Sequence, residues 1–147
     1  MNELMKKIIA AEEEKSSSGK FDPTVRVLKL VSSAGKLSRT VAAREDCRID
    51  VGCCIVDILV LSVNNNASIE QFLTASNLSN IDDSHDSATS YLYELWQALG
   101  RLSAALISGN DYRSILDDML ITLGGIARFS NYSLEECVKM AYSHFSQ

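Results

Sequence analysis

Two basic residues in matching sequence contexts are the side chains of this chain that are best suited to bind an anion. Lys36 lies in the segment LVSSAGKL, which begins at Leu30, and Arg101 lies in the segment LWQALGRL, which begins 65 residues later at Leu95. An ammonium or a guanidinium group can bind phosphate directly, and the arginine fork fits two phosphate oxygens at once. The alternative is that both are solvated helix residues, each paired with a neighbouring acid.

The cysteines and the single tryptophan give weaker indications. Cys47, Cys53, Cys54 and Cys137 lack the paired spacing of zinc ligands, and the chain has only two histidines, so we expect no zinc site. No histidine lies near Cys53 that could act as its base, which favours a buried thiol over a nucleophile. Trp96 could stack a nucleobase, but a core or interface aromatic is the favoured interpretation.

Three further charged residues are expected in ion pairs. Asp57 lies within an apolar run, where it is either exposed at a seam or paired with a lysine or arginine. Arg48 and Arg113 each lie near the start of a predicted helix, where a positive charge opposes the helix dipole. A salt bridge is therefore expected for each of these arginines, with an anion site as the alternative.

The matching segments belong to an internal repeat that runs without a gap at a displacement of 65 residues. The pairs at this displacement include Gly35 and Gly100, Asp46 and Asp111, Arg48 and Arg113, Ser68 and Ser133, and Glu70 and Glu135. A displacement held over this length indicates two copies of one supersecondary unit. A glycine in a helix interior costs about 1 kcal/mol, so Gly35 and Gly100 indicate either a close helix–helix approach or a ligand near the backbone.

Capping residues and apolar spacing predict the helices that must position these side chains. Helices are expected over 1–15, from Pro23 through Val41, from Asp46 to Val63, from Ser68 to about Asn77, from about Ser90 to Ser108, from Asp111 to about Ser130, and from Ser133 onward. Asp22, Asp46 and Asp111 are expected N-caps, and Gly109 is expected to end its helix in the left-handed conformation. The chain is therefore expected to be all-α.

In each copy, a helix reading L-x-x-x-x-G-x-L is followed by a capped apolar helix and then by a helix that opens with a serine capping box. This pattern resembles the MazG-like all-α nucleoside triphosphate pyrophosphohydrolases, over roughly 23–77 and 90–147. The resemblance implies tandem MazG-like repeats that form an intramolecular pseudo-dimer around a four-helix bundle. It also implies one cooperative domain made of an N-terminal helix plus first repeat (1–77), a linker (78–89) and a second repeat (90–147).

The MazG-like family carries the motifs E-E-x-x-E and E-x-x-D, whose acids hold Mg²⁺ because this hard cation prefers oxygen ligands. In the first copy the resemblance places these positions at Ser32, Ser33, Lys36, Asp50 and Cys53. In the second copy it places them at Gln97, Ala98, Arg101, Ile115 and Asp118. Only Asp50 and Asp118 keep a carboxylate, and a cation replaces the third glutamate in both copies, so Mg²⁺ is repelled rather than held.

The resemblance thus implies a degenerate ligand pocket rather than an active site. Its predicted residues are Ser32, Ser33, Lys36, Asp50, Gln97, Arg101, Asp118 and Trp96. No catalytic residue, metal site or cofactor is expected. The alternative is a residual Mg²⁺-dependent nucleoside triphosphate pyrophosphohydrolase whose partial metal site is rebuilt from Glu94, Asp117 and Asp118.

Composition restricts the partners. The net charge of −5 and the lack of a basic block disfavour nucleic acid, whose phosphates dominate such binding. No stretch reaches the roughly 20 apolar residues of a membrane span, and the N-terminal segment does not have the form of a signal peptide, so we expect a cytoplasmic protein.

The sequence therefore predicts a non-hydrolytic binding or interaction module, a pseudoenzyme whose partner is a protein or a nucleotide-like anion held without metal. Homo-oligomer formation is a further expectation. A purely structural helical bundle with no pocket is the third interpretation. A duplicated enzyme that has lost its acids would suit a phage or mobile-element protein.

Overall fold

The computed structural model describes residues 2–15, 22–64 and 87–145. Within these ranges the chain forms six helices and no strand: α1 (Asn2–Lys15), α2 (Pro23–Ala42), α3 (Arg48–Asn64), α4 (Ala88–Ser108), α5 (Arg113–Phe129) and α6 (Leu134–Phe145). The all-α prediction is confirmed for this part of the chain. The helix predicted from Ser68 and most of the predicted linker lie outside the described residues.

Helices α2, α3, α4 and α5 pack into a bundle with one apolar core. α2 packs against α3 and α4, and α5 packs against α4 and α3. The core contains leucines at equivalent positions of the two copies, all completely buried: Leu30 and Leu95, and Leu37 and Leu102. Burying a leucine side chain contributes about 1.5–3 kcal/mol, so these equivalent residues hold the bundle together.

Helix α3 is the central helix, because α1, α2, α5 and α6 all pack against it. This position explains its almost uniformly apolar sequence, because a helix that is surrounded by other helices is buried on most sides. Gly52 allows the close approach of α6, since a Cβ atom there would lie 2.1 Å from the carbonyl oxygen of Cys137. Gly125 on α5 similarly makes room for the ring of Tyr91, which a Cβ atom would approach to 2.4 Å.

The prediction that Gly35 and Gly100 mark a close helix–helix approach is wrong. Both residues are exposed, and a Cβ atom built on either would meet nothing within 4 Å. Their sequence signal resembles that of Gly52 and Gly125, because periodicity reveals that a glycine lies in a helix but not which face it occupies. The alternative of a ligand near these two glycines stays a prediction.

Several helix ends lie at the capping residues that the sequence predicts. The Asp22 carboxylate accepts a hydrogen bond from the Thr24 backbone N–H at 2.9 Å and caps α2, and Gly109 ends α4 with φ of 72°. Helix α4 begins earlier than predicted, because Ser87 is its N-cap and the helix starts at Ala88 instead of Ser90. The last two residues of the predicted linker therefore belong to α4.

The predicted caps at Asp46 and Asp111 are shifted by one residue. The N-cap position of α5 is Tyr112, and Asp111 precedes it while accepting a hydrogen bond from the Arg113 backbone N–H at 3.1 Å. Asp46 makes the same contact with the Arg48 backbone N–H at 3.0 Å. An aspartate side chain can reach the first turn from this preceding position, so it satisfies one of the backbone N–H groups that have no partner within the helix.

Among the described helices, none is long and apolar enough to cross a membrane.

Candidate functional site

Two clefts on the bundle are lined by residues that correspond across the repeat, and we call them the first and the second cleft after the copy of the repeat that lines each. The second cleft, about 270 Å³ in volume, is lined by Glu94, Gln97, Ala98, Arg101, Asp118, Ile121 and Thr122. Each of these residues lies 65 positions after a residue of the first cleft, namely Lys29, Ser32, Ser33, Lys36, Cys53, Val56 and Asp57. The first cleft, about 320 Å³, is lined in addition by Glu12, Arg26 and Asp50.

The clefts bring together most of the residues predicted to form the degenerate pocket. Ser32, Ser33, Lys36 and Asp50 all line the first cleft. Gln97, Arg101 and Asp118 all line the second. The spatial grouping therefore follows the sequence alignment of the two copies, while ligand binding by these residues stays a prediction.

Trp96 does not line either cleft. Its indole N–H donates a hydrogen bond to the Ser38 hydroxyl at 2.8 Å, which joins α4 to α2. The side chain is partly exposed beside this contact. Trp96 is thus an interhelical aromatic residue, which is the interpretation that the sequence favoured over base stacking.

A buried ion network forms the inner wall of the first cleft. Arg26 Nη1 donates to Asp57 Oδ1 at 2.9 Å, and Arg26 Nη2 donates to Glu12 Oε2 at 2.8 Å. The three side chains are only 9–16% exposed. The Ser33 hydroxyl donates to the other oxygen of Asp57 at 3.1 Å. The prediction that Asp57 is paired with a cation is confirmed.

Burial and ion pairing shift the pKa values of this network in opposite directions. Burial raises the pKa of the Asp57 carboxyl, although Arg26 and Ser33 favour its charged form. Burial also tends to lower the pKa of Arg26, but the hydrogen bonds to Glu12 and Asp57 outweigh it and raise that pKa. Arg26 therefore stays charged and needs both acids, since a buried charge without a partner is costly.

The charged groups of the first cleft are balanced in number. They are the cations Arg26, Lys29 and Lys36 and the acids Glu12, Asp50 and Asp57. Asp50 is half-buried and accepts a hydrogen bond from the Thr40 hydroxyl. Because Arg26 is buried between two of the acids, the exposed ammonium groups of Lys29 and Lys36 are the cations of this cleft that a ligand meets first.

The second cleft has a different electrostatic character. Arg101 Nη2 lies 3.9 Å from Asp118 Oδ2, and both side chains are more than half exposed. Glu94 adds a second acid to the lining. With one cation and two acids, this cleft is less suited to an anion than the first, and the interpretation of Arg101 as a solvated, acid-paired residue fits the observed contact.

The alternative magnesium site is only partly assembled. Glu94 and Asp118 line the second cleft, but Asp117 does not. Burial and the neighbouring Asp118 raise the pKa of Asp117. Among the described residues, no group of three His, Cys, Asp or Glu side chains is arranged to hold a metal ion.

The four cysteines are free thiols, and three of them are buried. Cys53, which lines the first cleft, has its pKa raised to about 11 by burial and by the charges of Asp57 and Asp50. Burial raises the pKa of Cys137 to about 12. Because the thiolate is the nucleophile, these environments favour the inert thiols that the sequence predicted.

Sequence reasoning did not single out the charged residues Glu12, Arg26 and Lys29, which line the first cleft. Arg26 precedes Ser33, and Lys29 precedes Lys36, by about two helical turns. Both could have been found from this spacing, because residues two turns apart share a face of the helix. Glu12 carries no such signal, since it comes from a different helix that lies outside the repeat.

Most of the exposed large apolar side chains lie on α2 and α4. Of the large apolar side chains that are exposed in the described ranges, five of six lie on these two helices: Val25, Leu28, Tyr93, Trp96 and Ile107. We define the seam face as Leu28, Gly35 and Ala42 on α2 with their equivalents Tyr93, Gly100 and Ile107 on α4. All six are exposed, and their spacing of seven keeps each set of three on one side of its helix.

The Arg48 and Arg113 guanidinium groups are used in ion pairs. Arg48 binds Asp46 at 2.7 Å and Glu136 of α6 at 2.7 Å, and its guanidinium lies 4.6 Å from the centroid of the Tyr132 ring. Arg113 binds Asp111 at 2.8 Å. The predicted salt bridges are confirmed at both positions.

A comparison of the chain with protein-family models, with curated proteins and with solved structures finds no match. The assignment of a function therefore rests on the two clefts and on the exposed faces of the helices.

Proposed function

We propose that this chain is a catalytically degenerate MazG-like protein that binds a nucleotide-like anion through its phosphate groups, in the first cleft and without a metal ion. In this proposal the two repeats form an intramolecular pseudo-dimer. The observation that supports it is the lining of the first cleft, which brings together Ser32, Ser33 and Lys36, the residues that the resemblance to the MazG-like family aligns with its three motif glutamates. Hydroxyl and ammonium groups at these positions can donate to phosphate oxygens, which glutamates cannot do.

Electrostatics favours direct phosphate binding over metal binding in this cleft. A unit charge 4 Å from another contributes about 4 kcal/mol at an effective dielectric of 20, so an ammonium group in place of a motif acid strongly disfavours a divalent cation. The same interaction attracts a phosphate. Lys36 thus takes over the role that Mg²⁺ has in the family.

Lys29 extends the basic edge by about two helical turns from Lys36, or about 10 Å. Both ammonium groups are exposed, so a phosphate group can reach either of them from the solvent. In the second cleft the equivalent of Lys29 is Glu94, and Arg101 already has Asp118 nearby. We therefore place the anion in the first cleft alone.

The proposal is tested by isothermal titration calorimetry with a panel of nucleoside mono-, di- and triphosphates, each with EDTA and with Mg²⁺. The expected result is binding in EDTA that Mg²⁺ does not strengthen. Binding that requires Mg²⁺ would reject metal-free recognition and favour the residual pyrophosphohydrolase. The absence of any binding would reject the nucleotide-like ligand.

A second candidate function, protein interaction, is supported by the seam face. The occupant that we propose is a second copy of this chain, because a two-fold axis brings the same exposed face of two chains together and each would cover the apolar side chains of the other. Two helices of about 20 residues present roughly 30 Å by 20 Å, so pairing would bury roughly 1,200 Å² in total, at the lower end of stable interfaces.

This second candidate is tested by light scattering over a range of protein concentrations. A dimer at micromolar concentration that Ile107→Glu converts to a monomer would support it. The matched control is Ser143→Glu, which adds the same charge at an exposed position of α6. A parent chain that stays monomeric at all concentrations would reject self-association.

A further inference from the structure

The two ion pairs of Arg26 in the first cleft, with Glu12 and with Asp57, have no counterpart in the second. Glu12 of α1 reaches over to Arg26, with Glu12 Oε2 at 2.8 Å from Arg26 Nη2. The residues equivalent to Arg26 and Asp57 in the second copy are Tyr91 and Thr122, which carry no charge. The first cleft thus has an additional cation and, on it, a carboxylate supplied by a helix outside the repeat.

The two acids hold Arg26 from different sides. Asp57 belongs to α3 and binds Nη1, while Glu12 belongs to α1 and binds Nη2. A carboxylate on the edge of a guanidinium has the geometry and charge that a phosphate group has at the same edge. Glu12 therefore occupies the position that an anionic ligand of this cleft would take on Arg26.

Helix α1 is the described helix with the fewest buried apolar side chains. It contributes Met5 and Ile8 to the core. Helix α6, which packs against the same α3, contributes four such residues: Leu134, Cys137, Val138 and Ala141. Helix α1 therefore has fewer buried apolar side chains to hold it than α6 has, and an anion that displaces Glu12 from Arg26 would remove one of its contacts with the rest of the chain.

Removal of Glu12 changes the balance of charge. With Glu12 in place, the lining has three cations and three acids, and without it the cations exceed the acids by one. Arg26, Lys29 and Lys36 then form a row along one side of α2. Ten residues of helix span about 15 Å, which suits a ligand with two or more linked phosphates better than a single phosphate.

We infer that Arg26 is a third ligand-binding cation of the first cleft and that Glu12 blocks it, so that α1 and a polyphosphate group compete for the same guanidinium. This inference rests on the proposed function, since it needs an anion in the first cleft. Occupation of the cleft by ligand then detaches the end of α1 that carries Glu12, which couples binding to a change at the surface of α3.

The inference is tested with inorganic pyrophosphate in EDTA, measured by titration calorimetry on the full chain. We expect Glu12→Gln to tighten pyrophosphate binding five- to tenfold, because it removes the competing charge. The control is Glu3→Gln, which removes a charge from the exposed part of the same helix and should change the affinity less than twofold. Inorganic phosphate should bind more weakly than pyrophosphate to every variant.

Hydrogen exchange of the parent chain provides a measurement that does not depend on the folding of a variant. Saturating pyrophosphate should accelerate exchange of the α1 backbone amides while leaving those of α6 unchanged. Slower or unchanged exchange in α1, together with an affinity that Glu12→Gln does not increase, would reject the competition but leave anion binding in the cleft intact. Binding by Glu12→Gln alone supports the inference. Binding by neither chain rejects both the inference and the proposed function.

Discussion

Arg26 and Asp57 form an ion pair between α2 and α3 in which both side chains are at most 10% exposed, with 2.9 Å between Nη1 and Oδ1. Such a pair contributes little net stability compared with an apolar pair, but breaking it leaves a buried charge without its partner. The pair therefore specifies how α2 lies on α3 beneath the first cleft.

The first prediction is that Asp57→Ala lowers the free energy of unfolding by about 3–5 kcal/mol, because it leaves the Arg26 guanidinium without one of its two acids. The triple variant Arg26→Met, Asp57→Leu and Glu12→Gln should recover most of that loss, because it leaves none of the three charges of the network behind without a partner. The matched control is Asp111→Ala, which breaks the exposed pair with Arg113 and should cost about 1 kcal/mol or less. Urea denaturation gives the three values, and equal losses for Asp57→Ala and Asp111→Ala would contradict the account.

The second prediction concerns pH. Because burial raises the pKa of Asp57 above its usual value of 3.8, the folded chain binds this proton more tightly than the unfolded chain does. The contribution of Asp57 to stability is therefore greatest below its unfolded pKa and is lost as the pH rises through the folded pKa. The free energy of unfolding of the parent relative to Asp57→Asn should increase as the pH is lowered from 7 to 4. A difference that is constant or changes in the opposite direction would show that the Asp57 pKa is not raised.

The third prediction separates the two kinds of glycine. Gly35→Ala and Gly100→Ala should each raise the free energy of unfolding by about 1 kcal/mol, because both lie in helix interiors with open space where the Cβ would be. Gly52→Ala should lower it, because its Cβ would overlap the Cys137 carbonyl oxygen. Thermal and urea unfolding of the three variants provide the measurement. A loss of stability in both Gly35→Ala and Gly100→Ala would mean that this face is covered in the folded protein.

The fourth prediction is that the two copies fold as one unit. Helix α6 of the second copy packs against α3 of the first, where Arg48 binds Glu136 at 2.7 Å. A protease site introduced within 76–86 should therefore leave the halves associated after cleavage, with a single unfolding transition. A half that is folded and monomeric alone, or two independent transitions, would contradict the pseudo-dimer.

The fifth prediction is that no common nucleoside triphosphate is hydrolysed with Mg²⁺. Of the ten positions that the proposed resemblance aligns with the MazG-like motifs, only Asp50 and Asp118 carry an acid, and these two line different clefts. Release of pyrophosphate would be followed with a coupled assay. Release above background that Asp118→Asn abolishes would restore the pyrophosphohydrolase alternative.

The sequence predicted the helices well because their signals are local. Asp22 with Pro23, and the left-handed Gly109, fix helix ends through contacts with neighbours a few residues away. The two clefts share seven pairs of equivalent lining residues. This correspondence follows from the repeat, because the same residue spacing on two helices places equivalent residues on equivalent faces. These features need no knowledge of how distant helices pack.

The contacts between helices were the part that the sequence could not provide. Glu12 and Arg26 meet across 14 residues of sequence, and no spacing rule connects them. Gly35 and Gly52 are equally consistent with close packing in the sequence, and only the neighbours of α3 distinguish them. The N-cap assignment of Asp111 was wrong by one residue, because an aspartate can accept a hydrogen bond from a first-turn backbone N–H either as the N-cap or as the residue before it.

The most direct test of the central claim is metal-free pyrophosphate binding by Lys36→Glu, compared with Lys139→Glu as a control of equal charge change on the exposed side of α6. Lys36 and its neighbours should account for the binding, so Lys36→Glu should reduce the affinity at least tenfold while Lys139→Glu leaves it within twofold. Affinity of the parent should fall as salt is raised from 0.05 M to 0.5 M, because exposed charges are screened. Equal affinities of the two variants, or no pyrophosphate binding by the parent, would contradict the assignment of the first cleft as an anion site.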